Sequence, residues 1–221
     1  ARTDLTHPNE NGTTNLFFSH AQFAYFDIHI LKREGAEKDW SQEVLAEVEK
    51  LKQTMTPEDD HKLVENIIVK TQGFVSGNIK EGDEHPVELF RQLLALYKGI
   101  DKDLLRENMR YFLSAIMPTC EEYGMNMCVH PDDPPFPILG LPRIVTCDED
   151  IEWFLKAVDN PHNGLTFCAG SLSAGAHNNV VELARKYASR TWFVHLRSCH
   201  IFPNSDFTEA SHLGGRADVI E

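Results

Sequence analysis

A chain of 221 residues with 42% hydrophobic and 25% charged residues has the composition of a folded globular protein, and disorder is excluded. Its 34 acidic against 21 basic residues leave a formal charge of −13, which repels phosphate backbones and anionic lipid, so no nucleic acid and no membrane are expected as partners. No apolar run reaches the roughly 18–20 residues of a membrane span, the first residues lack a signal-peptide pattern, and five cysteines without CxxC spacing form neither a disulfide framework nor a closed zinc site; a cytoplasmic location is expected.

The first half of the chain reads as helix and loop. Ser19 to Gln22 form a capping-box pattern ahead of the dense apolar run 23–31, which predicts a helix. Val44, Leu45, Val48, Leu51 and Met55 recur at helical spacing behind a Ser41 cap, and Thr56-Pro57 opens a further helix carrying Leu63, Val64, Ile67 and Ile68. Residues 71–85, with Gly73, Gly77, Asn78 and Gly82, predict a loop, and Pro86 starts a helix bearing Leu89, Phe90, Leu93, Leu94 and Tyr97. Asp101 caps the next, whose apolar face holds Leu104, Leu105, Met109, Phe112, Leu113 and Ile116; Pro118 predicts a kink and Gly124 the end.

From Met125 the rhythm changes to short strands alternating with helices. Residues 125–130 suit a buried strand, followed by a proline-rich loop over 131–137. Thr146 to Glu149 are a capping-box pattern before an amphipathic helix with Ile151, Phe154, Leu155 and Val158. Residues 164–168 predict a second strand, 169–175 a loop of small residues, 178–187 a helix and 191–196 a third strand. Strand, helix, strand, helix, strand is the signature of parallel βα units, whose chemistry gathers in the loops after the strand C-termini.

Each of the three predicted strands ends in a residue able to bind metal: His130, Cys168 and His195, 38 and 27 residues apart, each gap one βα unit. A lone cysteine or histidine at a strand end is more often a packed core residue. Three in successive units converge by topology on one mouth, and an imidazole, thiolate, imidazole set suits a first-row divalent ion with a position left for substrate. Metal–ligand bonds near 2.0–2.5 Å then require the three donor atoms to lie within about 4–5 Å of one another. Asp132 and Asp133 follow His130 in a turn stiffened by prolines, where a carboxylate can orient the histidine or meet substrate hydroxyls, or simply cap the turn. Arg197 shares the strand face of His195 and can bind a substrate carboxylate; Ser171, in the small-residue loop, and His212, in a later loop, are further substrate-binding candidates. No Gly-x-Ser-x-Gly elbow is present, so nucleophilic hydrolase chemistry is unsupported.

Several blocks resemble the D-mannonate dehydratase family of bacterial hexuronate catabolism. They are His130-Pro131-Asp132-Asp133-Pro134-Pro135, residues 138–145 (ILGLPRIV), Phe167-Cys168-Ala169-Gly170-Ser171-Leu172 and Val194-His195-Leu196-Arg197-Ser198, with weaker ones at 2–5, 27–33 and 105–108. The resemblance implies a TIM (β/α)8 barrel of the xylose-isomerase-like type that uses Mn²⁺ or Fe²⁺ to dehydrate D-mannonate to 2-dehydro-3-deoxy-D-gluconate, in glucuronate breakdown. It implies the metal ligands His130, Cys168 and His195. It also implies a fourth ligand and an acid–base pair in an Asp-His-Gly block and a Gly-Tyr-Ser segment that this sequence does not contain, so the catalytic acid and base are unassigned.

A complete barrel needs about 250 residues, and three strands are legible. The expectation is therefore a single domain over 1–221 holding the central part of a barrel: residues 1–124 a mostly helical insert with packing helices, 125–221 the βα units with the metal site. By itself this portion is expected to be inactive. A metal-dependent sugar isomerase or epimerase of similar fold, and an inactive barrel fragment that binds metal or an acid sugar, are the alternatives. The apolar faces of the first-half helices are compatible with a homodimer.

Overall fold

The computed structural model describes residues 1–71, 79–80 and 82–221, which form an α/β protein of two compact units. One comprises Ala1–Gly99 with Ile138–Gly140 and Phe202–Thr208; the other comprises Ile100–Pro137, Leu141–Ile201 and Glu209–Glu221. Most of the loop expected over 71–85 lies outside the described residues. No helix among the described residues is long and apolar enough to cross a membrane.

The first unit opens with a feature the sequence reading missed. Asp4–Pro8 (β1) and Thr14–Phe18 (β2) pair as an antiparallel hairpin, and β2 also pairs antiparallel with β7 (Phe207–Ala210) through Phe17↔Thr208 and Phe18↔Phe207. The predicted helix at 23–31 is two structures: α1 (His20–Tyr25), capped by Ser19 accepting from the Gln22 amide, then a π-helical turn over Phe26–Ile30 closed by the Leu31 N–H to Phe26 carbonyl bond. Ser41 caps α2 (Gln42–Thr54), and Thr56 with Asp59 forms a reciprocal capping box on α3 (Pro57–Val64). A second π turn covers Glu65–Lys70, and α4 (Pro86–Ala95) starts at its proline. Phe18, Phe23, Phe26, Leu31, Ile67, Ile68, Phe90 and Phe207 are fully buried, and Phe18 stacks between Phe23 at 5.2 Å and Phe207 at 5.1 Å.

In the second unit α5 (Lys102–Tyr123) starts on the Asp101 cap, continues through Pro118 and ends on Gly124 at φ 61°, a left-handed position that glycine adopts without a Cβ clash. β3 (Met127–Val129), β4 (Asn163–Cys168) and β5 (Thr191–His195) form a parallel three-stranded sheet in chain order. Helices α6 (Asp148–Ala157) and α8 (Val180–Tyr187) follow β3 and β4, and Leu113, Met117, Ile151, Phe154, Leu165, Leu172 and Leu183 share one core with them. Each such side chain, when fully buried, contributes roughly 1.5–3 kcal/mol.

Two local expectations give way. Thr146 does not pair with Glu149: its amide and hydroxyl both donate to Asp150, at 3.1 and 2.6 Å, because Asp150 is a buried anion that needs donors and also takes Lys102 and Arg106. The small-residue segment after β4 is a one-turn helix, α7 (Ala169–Ser173), because the Cys168 sulfur accepts from the Ser171 amide and caps it. β6 (Ser198–Ile201) then follows β5 directly.

Candidate metal centre

All the groups of the site lie in the second unit. Cys168 and His195 are partners in register on β4 and β5, so parallel pairing alone sets their side chains together; the Cys168 sulfur lies 3.4 Å from His195 Nδ1. His130 is the first residue after β3. One donor atom from each of the three lies within 4.8 Å of the others, inside the range expected for a shared ion. Cys168 is fully buried and both histidines are exposed, which leaves the imidazole side of the cluster open to solvent.

His130 Nδ1 lies 2.7 Å from the Pro131 carbonyl oxygen. An Nδ1–H donated there leaves the Nε2 lone pair free for a metal, the usual way a backbone acceptor selects the ligating tautomer. Burial opposes ionisation of the Cys168 thiol, but hydrogen bonds with His130 and Ser171 and the charge of Arg197 outweigh it and hold the thiol below its ordinary range. The same hydrogen bond with Cys168, reinforced by the Pro131 carbonyl, raises the pKa of His130 despite burial. The direction of both shifts favours the thiolate, the form in which cysteine ligates a metal. Donor types, spacing and tautomer all fit a divalent ion held by His130, Cys168 and His195.

A polar layer stands behind the sulfur. Ser171 is fully buried, and its amide and hydroxyl approach Cys168 Sγ at 3.5 and 3.3 Å. Arg197 Nη2 donates to Asp133 Oδ2 at 2.7 Å and to Ser171 Oγ at 3.3 Å, and Nη1 donates to Glu209 at 3.0 Å. Burial works against the guanidinium charge, yet Asp133 and Glu209 raise its pKa. A Cβ on Gly170 would collide with the Arg197 side chain, so this arginine can cross α7 only over a glycine.

Of the candidates named from sequence, Asp133, Ser171 and Arg197 meet in this layer. Both terminal nitrogens of Arg197 face protein carboxylates. His212 stands apart on an exposed loop, with Nε2 3.2 Å from the Leu196 carbonyl oxygen. The paired aspartates divide: Asp132 accepts from the Ile144 and Val145 amides, each at 2.9 Å, and ties down its own loop, whereas Asp133, next to a cis bond to Pro134, faces Arg197. Glu209 and Gly170 escaped the sequence reading. In a chain with 34 acidic residues nothing marks Glu209 as the partner of Arg197, and Gly170 is one glycine in a run of small residues.

Comparison with known proteins covers the whole chain. A family model described as D-mannonate dehydratase (UxuA) matches residues 1–221. A mannonate dehydratase of Marinomonas sp. (strain MWYL1) is 42% identical over 220 residues, and one of Chromohalobacter salexigens is 37% identical over 222; each alignment covers 99% of this chain and 54% of the relative. The crystal structure of mannonate dehydratase from Streptococcus suis serotype 2 superposes with a TM-score of 0.59 at 31% identity, covering 99% of this chain and 47% of that one. The chain thus spans about half the length of the relatives it matches.

Proposed function

The chain belongs to the D-mannonate dehydratase family, and from that premise we propose that its protein dehydrates D-mannonate to 2-dehydro-3-deoxy-D-gluconate, in glucuronate catabolism, with Mn²⁺ or Fe²⁺ held by His130, Cys168 and His195. One observation carries the assignment of the site: two imidazoles and a thiol from three successive strand ends place their donor atoms within 4.8 Å. When bound, the cation supplies Lewis-acid stabilisation of the negative charge that develops as the proton beside the substrate carboxylate departs. The exposed faces of His130 and His195 leave that side accessible to an acid sugar. Asp133 enters as a carboxylate fixed by Arg197 that can accept from sugar hydroxyls, and His212 as an exposed loop imidazole beside the Leu196 carbonyl. Ser171 enters through its hydrogen bonds to Cys168.

The proposal extends to architecture: β3, β4 and β5 are read as neighbouring strands of a (β/α)8 barrel of the xylose-isomerase-like type. Parallel pairing in chain order with intervening helices supports this, as do apolar residues left open on and after β5, Phe193 at 60% and Leu196 at 52% exposure, which further barrel elements would cover. Five free cysteines fit a reducing compartment, the cytoplasm. The test is to incubate the protein in its native full length with D-mannonate and Mn²⁺ or Fe²⁺ and to identify the product. A 2-keto-3-deoxy acid that disappears in Cys168→Ala is expected; an isomerised sugar acid would move the assignment to isomerase or epimerase chemistry.

A further inference from the structure

Ser171 is the one side chain in the site that is wholly buried and yet meets a ligand sulfur, a carboxylate and a guanidinium together. A hydroxyl has one proton to give, and its direction can be deduced. Arg197 Nη2, 3.3 Å away, is a donor only, so the Ser171 oxygen accepts from it and the hydroxyl hydrogen points elsewhere. Two acceptors remain. Asp133 Oδ2 lies 3.5 Å off, beyond the usual 2.5–3.0 Å of an O–H to O bond, and already takes the shorter 2.7 Å bond from Arg197. Cys168 Sγ lies at 3.3 Å, short for a hydrogen bond to the larger sulfur atom, and also receives the Ser171 amide. The proton goes to sulfur.

We propose that Ser171 is a positioning residue of the metal centre: held in one orientation by Arg197, it donates its hydroxyl and its amide to the Cys168 sulfur, aiming that ligand and tempering its donation to the metal. This rests on the metal-centre reading above. The asymmetry of the cluster supports it, since the two histidines are exposed whereas the sulfur is enclosed and, besides the imidazoles, meets both the amide and the hydroxyl of Ser171. Partners behind a ligand set both its direction and its electron donation, and their loss lowers metal affinity. Arg197 acts one step further back, and Gly170 is the residue that lets it lie there.

Cobalt(II) is the probe, because a bound thiolate gives it a near-ultraviolet sulfur-to-metal charge-transfer band whose energy reports hydrogen bonding at sulfur. In the full-length protein loaded with Co²⁺, Ser171→Ala is expected to move this band to lower energy and to weaken Co²⁺ binding by roughly 10–100-fold. Arg197→Lys keeps a positive charge but loses the fork that orients the hydroxyl, and it should shift the band in the same direction by less. Ser173→Ala is the control: Ser173 is equally buried on α7 but donates to the Gly170 carbonyl at 3.0 Å, so its removal should leave the band in place. A band in wild type that Ser171→Ala leaves unmoved, with affinity unchanged, overturns the role of Ser171 while sparing the metal centre. Absence of any thiolate band in wild type, with Co²⁺ binding indifferent to Cys168→Ala, overturns the metal-centre reading and this inference with it.

Discussion

Each unit of the molecule contains an arginine that bridges two carboxylates and lies against a glycine, and the two differ in what stands behind them. In the first unit Arg33 holds the fully buried Asp27 through Nε at 2.9 Å and Nη2 at 2.7 Å, reaches Asp39 at 2.5 Å, and packs where a Cβ on Gly140 would come within 2.9 Å of Nη1. In the second unit Arg197 bridges Asp133 and Glu209, but its Nε is buried with no hydrogen-bond partner among the described residues, and its third contact is Ser171, which leads to Cys168. Arg33 makes a bidentate pair with the Asp27 carboxylate. Arg197 gives up that geometry to hold three different groups. A half-buried arginine whose Nε and Nη2 are both met within an ion pair reads as scaffold; one that leaves its Nε unmet while orienting a ligand's neighbour reads as part of a site.

The sharpest way to break this contrast is to remove one group on each side. Cys168→Ala should abolish retention of Mn²⁺ or Fe²⁺ through gel filtration, and the proposed dehydratase activity with it, at a small cost in stability. Asp27→Ala should do the reverse: leaving Arg33 without its buried partner costs about 3–5 kcal/mol in urea unfolding, with metal content per folded chain unchanged. Equal metal loss in both variants would erase the distinction between the two arginines.

The glycines sharpen it next. Gly140 sits at φ 68° against Arg33, so Gly140→Ala should lower stability by more than about 1 kcal/mol without touching metal affinity. Gly170→Ala displaces Arg197 and should weaken metal binding more than it lowers the thermal midpoint. The smallest effect concerns pH. Burial raises the pKa of Asp150, but Lys102 and Thr146 outweigh it and leave the group below its ordinary 3.8. A depressed carboxylate stabilises the fold above its unfolded pKa and loses that contribution as pH falls through the folded value. Urea midpoints followed from pH 5 to pH 2 should therefore drop more steeply in wild type than in Asp150→Asn.

The sequence made the second unit more legible than the first, for a physical reason. Helices α2, α3 and α5 were readable because Ser41, Thr56 and Asp101 cap them and period and cap agree. The parallel strands were readable because they are short apolar runs between capped helices, and their ends carry His130, Cys168 and His195. The hairpin β1–β2 was not: Asp4–Pro8 is short and largely polar, and Thr14–Phe18 pairs with β7, whose residues lie some 190 positions away. The π turn at Phe26–Ile30 was hidden because an apolar run without period looks helical whatever its pitch. At the site, the ligands follow from topology, whereas the layer behind them does not. Ser171 turns inward only because Cys168 caps α7, and Glu209 reaches Arg197 from beyond β6.

The central claim is that His130, Cys168 and His195 together hold one divalent ion. Calorimetric titration of the metal-free full-length protein with Mn²⁺ tests it most directly. One site per chain is predicted, lost in each of His130→Ala, Cys168→Ala and His195→Ala while the variants remain folded by circular dichroism. Stoichiometric binding that survives in all three folded variants would contradict it.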